Sequence, residues 1–198
     1  MATDRLARIG VLALQGDVTE HVRALVGAGA AGFSVKTRTE LESAEGLIIP
    51  GGESTTVMKL LQRFELREPI RRRASAGMPL WGTCMGMIVM AREVAGTDQP
   101  TLGLLDVAVR RNAFGRQSES DEIPLDVPAL GAPPFPAMFI RAPWIESAGV
   151  AVDVLARRDG HGVMVRQGSL LGTSFHPELG QDLRVHRYFV DIVRGARG

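Results

Sequence analysis

Pro79-Leu80-Trp81-Gly82-Thr83-Cys84-Met85-Gly86 is the stretch that decides the fold. Pro79 to Gly82 reads as a short buried strand, and Met85 to Ala91 begins a helix directly after it. Cys84 falls on the junction, inside Gly-x-Cys-x-Gly. This is the nucleophile-elbow arrangement with Cys in place of Ser. A residue on so tight a turn needs glycines two positions away on each side, where the backbone is crowded. Its side chain then stands above the carboxyl end of the sheet, where open α/β sheets bind ligands. The positive end of the following helix favours a thiolate there. An unpaired cysteine is otherwise an inert small hydrophobe, and this motif alone leaves both readings open.

Outward from that junction, strand and helix signals alternate. Ile9 to Leu14 is an unbroken apolar run, the pattern of a strand buried on both faces. Gln15-Gly16-Asp17 ends it, with Asp17 as a candidate N-cap and Glu20 at the capping-box position. Val18, Val22, Leu25 and Val26 follow helical spacing until Gly27 and Gly29. Phe33 to Lys36 predicts a second strand, and Gly46 to Ile49 a third, closed by Pro50-Gly51-Gly52. Ser54 is expected to cap a helix through about Phe64, and another helix is expected from Pro69 to Ala76. This β-α-β-α order predicts an α/β fold with a mainly parallel sheet and helices on both faces.

The second half is richer in strands. Leu104–Arg110, Ala137–Ile140, Val152–Ala156, Gly162–Arg166 and Leu170–Phe175 are candidates. Asp159-Gly160-His161-Gly162 reads as a hairpin turn. Asn112–Glu122 and Ala129–Pro136 read as loops, and Asp182–Arg194 as a closing helix. No repeat or long linker divides the chain, so one domain over residues 1–198 is expected.

Composition narrows the function classes. The 198 residues are 45% hydrophobic and 23% charged, which excludes disordered and collagen-like chains. A net charge of +1 gives no electrostatic footprint for nucleic acid. The run Arg71-Arg72-Arg73 reads as a solvated helix face. With one cysteine, no internal disulfide and no cysteine metal site can form. Residues 1–8 lack the apolar region of a signal peptide. The longest nearly apolar stretch, Met78–Ala91, is shorter than the roughly 20 residues a bilayer span needs. No membrane association and a cytoplasmic location are the expectation.

A thiolate nucleophile needs a base, and the base needs a group to orient it. His21, His161 and His186 read as surface or structural residues. His176 differs, because it ends an apolar strand as Ser174-Phe175-His176-Pro177-Glu178. In extended chain residues i and i+2 point the same way, so Glu178 could bond one ring nitrogen and leave the other for a thiol. A third element is Pro50-Gly51-Gly52-Glu53-Ser54-Thr55. Glycines after a buried strand let backbone N–H groups approach a ligand. The Met85 N–H and a donor from the Gly51-Gly52 turn could form an oxyanion hole. The segment is not a P-loop, since the Gly-Lys-Ser/Thr ending is missing. It would serve equally as a plain strand-to-helix turn.

Together these motifs resemble the class I glutamine amidotransferases, which carry a Cys-His-Glu triad on a flavodoxin-like, three-layer α/β core. Within them the chain is most similar to the glutaminase subunits of pyridoxal 5′-phosphate synthase. The resemblance rests on Leu14-Gln15-Gly16 with Glu20-His21, Pro50–Thr56, Gly82-Thr83-Cys84, Arg111–Gln117, Phe139-Ile140-Arg141-Ala142-Pro143 and Ser174–Glu178, and it runs from about Arg8 to Val193. It implies Cys84 as nucleophile, His176 as base and acid, and Glu178 as its orienter. It implies L-glutamine binding by Gly52, Glu53, Ser54, Arg111, Ile140 and Arg141, and an oxyanion hole of Gly52 and Met85. Arginine suits a carboxylate through bidentate bonding, and Glu53 could serve the ammonium. Without the family, Arg111 and Arg141 read as ordinary surface arginines. One departure is Met85, where the family often has Ala; its larger side chain could alter packing, at the partner surface among other places.

The implied reaction is glutamine hydrolysis through a γ-glutamyl thioester, without metal or organic cofactor. The implied partner is a (β/α)8-barrel synthase subunit in a large hetero-oligomer, which receives the ammonia and whose contact would order the Gly51-Gly52 turn. Two rivals stand beside it: another thiol hydrolase on a similar core, and a non-catalytic subunit that keeps the shape.

Overall fold

The computed structural model describes residues 5–113 and 120–196, so the stretch Phe114 to Gln117 of the Arg111–Gln117 motif lies outside the described residues. The first strands follow from their apolar runs: β1 (Ala7–Leu12), β2 (Ala30–Val35), β3 (Gly46–Ile49) and β4 (Leu80–Thr83). Between them lie α1 (Val18–Gly27), α2 (Arg38–Glu42), α3 (Ser54–Arg63) and α4 (Arg67–Ser75). Then come α5 (Met85–Met90), β5 (Ala91–Val94), β6 (Leu105–Arg110), β7 (Asp121–Leu125), β8 (Phe135–Phe139) and β9 (Trp144–Ala148). The chain closes with β10 (Asp153–Arg158), β11 (His161–Gln167), β12 (Leu170–Thr173) and α6 (Arg184–Gly195).

Ten strands form one sheet in the order β2-β1-β3-β4-β12-β11-β9-β6-β5, with β10 paired to β11 off this path. The run β2-β1-β3-β4-β12 is parallel throughout. The strands beyond β12 pair antiparallel except for β5 with β6. β7 and β8 make a separate antiparallel hairpin. Order 2-1-3-4 is that of flavodoxin-like folds, whose crevice opens where the chain reverses direction between β1 and β3.

The strand residues alternate between two cores. Leu47 and Ile49 of β3 face a layer built from α2, α3, α4 and α5, where Leu41, Val57, Leu61, Ile70 and Met87 are buried. Ile48 and Trp81 face the opposite layer, with Leu25 of α1, Phe189 of α6 and Phe135 of the β7–β8 hairpin. The result is three layers around a mostly parallel sheet, as the alternation of signals requires.

Several local expectations are corrected. Asp17 takes the N-cap position of α1, but its side chain makes no capping bond, so the box expected with Glu20 does not form. A tight turn with Val18 N–H on Gly16 O replaces it at 2.9 Å, and Asp17 lines the cleft described below. The capping box that does form joins Thr37 and Glu40 and heads the short α2, which no run of apolar spacing announced. Ser54 does not cap α3. Glu53 stands in extended backbone and its longer carboxylate accepts the Thr56 N–H at 2.9 Å. Arg73 is not purely solvated: its guanidinium reaches the carbonyls of Leu41 and Ala44, which end α2. Strands β5, β7 and β9 were not expected. The hairpin turn is where the sequence placed it: Asp159 and Gly160, with φ of 50° and 81°, link the paired residues Arg158 and His161.

Candidate functional site

The elbow at Cys84 has the geometry its glycines imply. Cys84 sits between β4 and α5 with φ 49° and ψ −107°, a conformation side-chain-bearing residues avoid. Its N–H donates to Thr173 O of β12 at 2.7 Å, and its O accepts from Met87 N–H at 3.1 Å. A Cβ on Gly82 would lie 2.3 Å from the Gly86 carbonyl carbon, and one on Gly86 would lie 1.9 Å from Ile49 O. Neither position can carry a side chain while β3, β4 and α5 approach this closely. Cys84 keeps 8% of its surface exposed, with Sγ 3.8 Å from Ile140 O.

His176 arrives from the neighbouring parallel strand β12 and is anchored by its N–H on Met138 O at 2.8 Å. Its Nδ1 meets Glu178 Oε1 at 2.8 Å. The two were expected side by side in extended chain. They are joined instead through a 3-10 turn over Pro177–Leu179, because Pro177 has the fixed φ of a first helical residue. Both are buried. Burial opposes the charged form of His176, but hydrogen bonds to Cys84 and Glu178, and the charges on both, outweigh it and raise its pKa to about 10. His176 is therefore held in its protonated form beside Cys84 and Glu178.

The turn after β3 closes the other wall. A Cβ on Gly51 would lie 2.6 Å from His176 Cε1. Gly52 has φ 145°, and a Cβ there would meet Gln15 Oε1 at 2.7 Å; the same oxygen accepts the Glu53 N–H at 2.7 Å. Glu53 bonds Thr55 and Thr56 and faces Arg111 NH2 at 3.0 Å. The hydrogen bond from Thr55 is the main reason its pKa is lowered to about 2, with those from Thr56 adding to it against partial burial. Arg111 NH1 also donates to Gln99 Oε1 at 2.9 Å, and Gln99 Nε2 donates to Ser54 Oγ at 2.9 Å.

These elements enclose a cleft of about 460 Å³ at the carboxyl ends of β1, β3, β4 and β12. Gly52, Glu53, Ser54, Cys84, Met85, Arg111, Ile140, Arg141 and His176 all line it, so the structure brings together every sequence-designated position except Glu178, which is buried behind His176. Arg141 adopts φ 43° and is exposed. The Met85 side chain is 2% exposed within the core, so it does not present itself to a partner surface.

Sequence reasoning missed Gln99, whose amide ties Ser54 to Arg111, and gave no site role to Gln15 or His21. Gln15 has no motif chemistry of its own, and His21 looks like any helical histidine. It is in fact fully buried, with Nε2 3.4 Å from Glu178 Oε2. Asp17, His176 and Glu178 bring one candidate metal-ligand atom each within 4.8 Å of one another. A metal bound through His176 Nδ1 and Glu178 Oε1 would have to break their 2.8 Å bond. Among the described residues, no helix is long and apolar enough to cross a membrane.

Comparison with known proteins agrees with this geometry. The family model described as "SNO glutamine amidotransferase family" matches residues 11–194. A protein of Frankia casuarinae named "Pyridoxal 5′-phosphate synthase subunit PdxT" is 58% identical over 96% of this chain and 96% of its own length. A Moorella thermoacetica protein of the same name is 52% identical over 94% of this chain and 99% of its own. A crystal structure of a glutamine amidotransferase superposes with a TM-score of 0.89 at 46% identity, covering 95% of this chain and all of that one. With the Cys84 elbow, the His176–Glu178 pair and the matched length in agreement, the chain belongs to the SNO glutamine amidotransferase family.

Proposed function

We propose that the protein is a glutaminase that hydrolyses L-glutamine to L-glutamate and ammonia and delivers the ammonia to a separate synthase subunit that builds pyridoxal 5′-phosphate. The observation that carries the reading is the His176 Nδ1–Glu178 Oε1 bond of 2.8 Å, which leaves Nε2 for Cys84 on its strained turn. The relatives' name points to the synthase; the residues lining the cleft support the amide chemistry.

In this reading Cys84 thiolate attacks the side-chain amide carbon of glutamine. The carbonyl becomes an oxyanion that accepts hydrogen bonds from the N–H groups of Gly52 and Met85. His176 gives its proton to the departing nitrogen, the C–N bond breaks, and a γ-glutamyl thioester remains on Cys84. His176, now neutral, takes a proton from water as that water attacks the thioester; glutamate leaves and the thiolate returns. Glu178 holds the ring in the tautomer that serves both steps. Arg111 and Arg141 receive the substrate carboxylate, Glu53 the ammonium, and Gly52, Ser54 and Ile140 shape the pocket around them. The steps are served by these side chains and amides, with no cofactor called upon.

Residues 1–198 act as one glutaminase unit in the cytoplasm, and the acceptor chemistry resides on a (β/α)8-barrel partner in a large hetero-oligomer. Partner contact completes the Gly51-Gly52 turn, so the glutaminase rate rises when the synthase is present. The test is glutamate release from L-glutamine by the purified chain, with and without the synthase subunit of a relative, with Cys84→Ala as control. Release that depends on Cys84 and rises with the synthase supports the whole reading. Release indifferent to the synthase keeps the glutaminase and removes the partner. No release with a folded chain and a competent synthase overturns it.

A further inference from the structure

Behind the cleft lies a row of buried polar groups that the proposed reaction does not use. Glu178 spends Oε1 on His176, but its Oε2 is buried and makes no hydrogen bond of ordinary geometry among the described residues. The group facing Oε2 is His21 Nε2 of α1, at 3.4 Å, with both side chains fully buried. The same nitrogen lies 3.3 Å from Thr83 Oγ1, one residue before Cys84. His21 Nδ1 lies 3.1 Å from Nε2 of His186, on α6. Trp81 sets an edge against both histidine rings, at 5.6 Å and 4.9 Å between centroids.

The tautomers follow from these contacts. Of His21 Nδ1 and His186 Nε2, one must donate. If His21 donated from Nδ1, its bare Nε2 could accept the Thr83 hydroxyl proton but would still face a carboxylate oxygen, lone pair against lone pair. His186 would then carry a buried Nδ1–H, and that atom has no partner among the described residues. An orphaned buried donor is the scarcer and costlier defect. The opposite assignment puts His186 Nε2–H on His21 Nδ1 and directs His21 Nε2–H between Thr83 Oγ1 and Glu178 Oε2 as a three-centre bond.

We propose that His21 is a positioning residue for the reaction: as the Nε2–H tautomer imposed by His186, it holds the second carboxylate oxygen of Glu178 and so fixes the His176 ring against Cys84. This rests on the glutaminase reading above. A neutral donor suits the task. Burial, with the adjacent charges of His186 and His176, holds the His21 pKa well below 6.5. Burial lowers that of His186 to about 3. A cationic His21 would share the charge of Glu178 with His176 and make His176 a weaker base. A neutral one orients the carboxylate and leaves its charge to His176.

The test compares His21→Gln, whose side-chain amide can place N–H near the position of Nε2, with His21→Leu, which has no donor. Two properties are read in the full chain: kcat and KM for glutamine, and the rate at which iodoacetamide alkylates Cys84 from about pH 5 to 9. His21→Leu should lose about tenfold or more in kcat with KM within about twofold, and its pH profile of alkylation should depart from that of the wild type. His21→Gln should keep both properties within about threefold. Wild-type behaviour in His21→Leu, or equal loss in both variants, overturns the assignment. If neither variant folds, the wild-type chain with 15N-labelled histidine decides: a His21 protonated on Nε2 alone supports the proposal, and one protonated on Nδ1 or on both nitrogens overturns it. A wild type that releases no glutamate sinks the glutaminase reading, while the alkylation profiles still judge the positioning of His176.

Discussion

Gly51 and His176 touch so closely that only a glycine fits: a Cβ would stand 2.6 Å from Cε1 of the ring. The ring cannot retreat without loosening its 2.8 Å bond to Glu178. Gly51→Ala should therefore push His176 off line while leaving the two cores untouched. Glutamate release should fall by about tenfold to a hundredfold, since misplacement by about 1 Å is enough for such losses. Circular dichroism and urea unfolding, run beside the activity assay, check that the chain still folds.

The three proposed catalytic residues should not be equally costly to lose. Cys84→Ala should abolish glutamate release with the fold intact. His176→Ala should come near it, by about ten-thousandfold. Glu178→Ala should cost less, because Glu178 orients the ring and does not react. Steady-state kinetics on the three variants decides, and a Glu178→Ala rate equal to wild type removes its role.

The strain at Cys84 can be weighed directly. With φ 49° and ψ −107°, the position favours a residue without Cβ. Cys84→Gly should be more stable than Cys84→Ala by about 1 kcal/mol, and both should be inactive. The urea midpoints of the two variants, compared at equal m-value, give the difference.

Two of the buried histidines, His21 and His186, make a pH prediction of definite sign. The pKa of His186 is lowered from 6.5 to about 3, and that of His21 is lowered too, so the folded state refuses protons that the unfolded chain accepts. Their contribution is fully present above pH 6.5 and is lost as pH falls from there toward 3. The slope is up to about 1.4 kcal/mol per pH unit for each proton. His186→Phe should flatten stability against pH by about one proton between these limits. Urea unfolding at several pH values in that window measures it, and an unchanged slope contradicts the buried neutral state.

Arg111 separates binding from folding. Its contacts with Glu53 and Gln99 are about one-third exposed on the arginine side, and such pairs contribute about 0–1 kcal/mol to stability. Arg111→Ala should thus leave the melting temperature nearly unchanged. It should raise KM for glutamine by about tenfold or more, because the substrate carboxylate would lose the charged donor proposed for it. Thermal melts and a glutamine titration on the same preparation check both halves.

What the chain order discloses is the part carried by local rules. Trp81-Gly82-Thr83-Cys84 announces its elbow because strand, glycines and helix are adjacent in sequence, and Ser174–Glu178 announces its pair because the partners are two residues apart. The positions singled out by the family resemblance line one cleft. What stays hidden depends on distant neighbours. Nothing near Gln99 signals that it will join Ser54 and Arg111. His21 and His186 sit 165 residues apart, and each alone is an ordinary helical histidine. Glu53 rather than Ser54 caps α3 because backbone angles, not residue preference, decided which side chain reached Thr56. β5, at the sheet edge, and β9, between β11 and β6, escaped because their short, charge-bearing sequences carry no apolar run.

The placement of β12 beside β4 has a consequence for how the chain becomes reactive. Cys84 leaves the ribosome with β4, and its proposed base, His176, follows only 92 residues later. Until β12 slots alongside β4, the sulfur has neither His176 beside it nor Thr173 O to hold its backbone in the strained turn. A nascent or interrupted chain therefore carries the sulfur without its proposed base. The same strand that completes the parallel half of the sheet also brings the proposed base to the proposed nucleophile, so their meeting reports that β12 is in place.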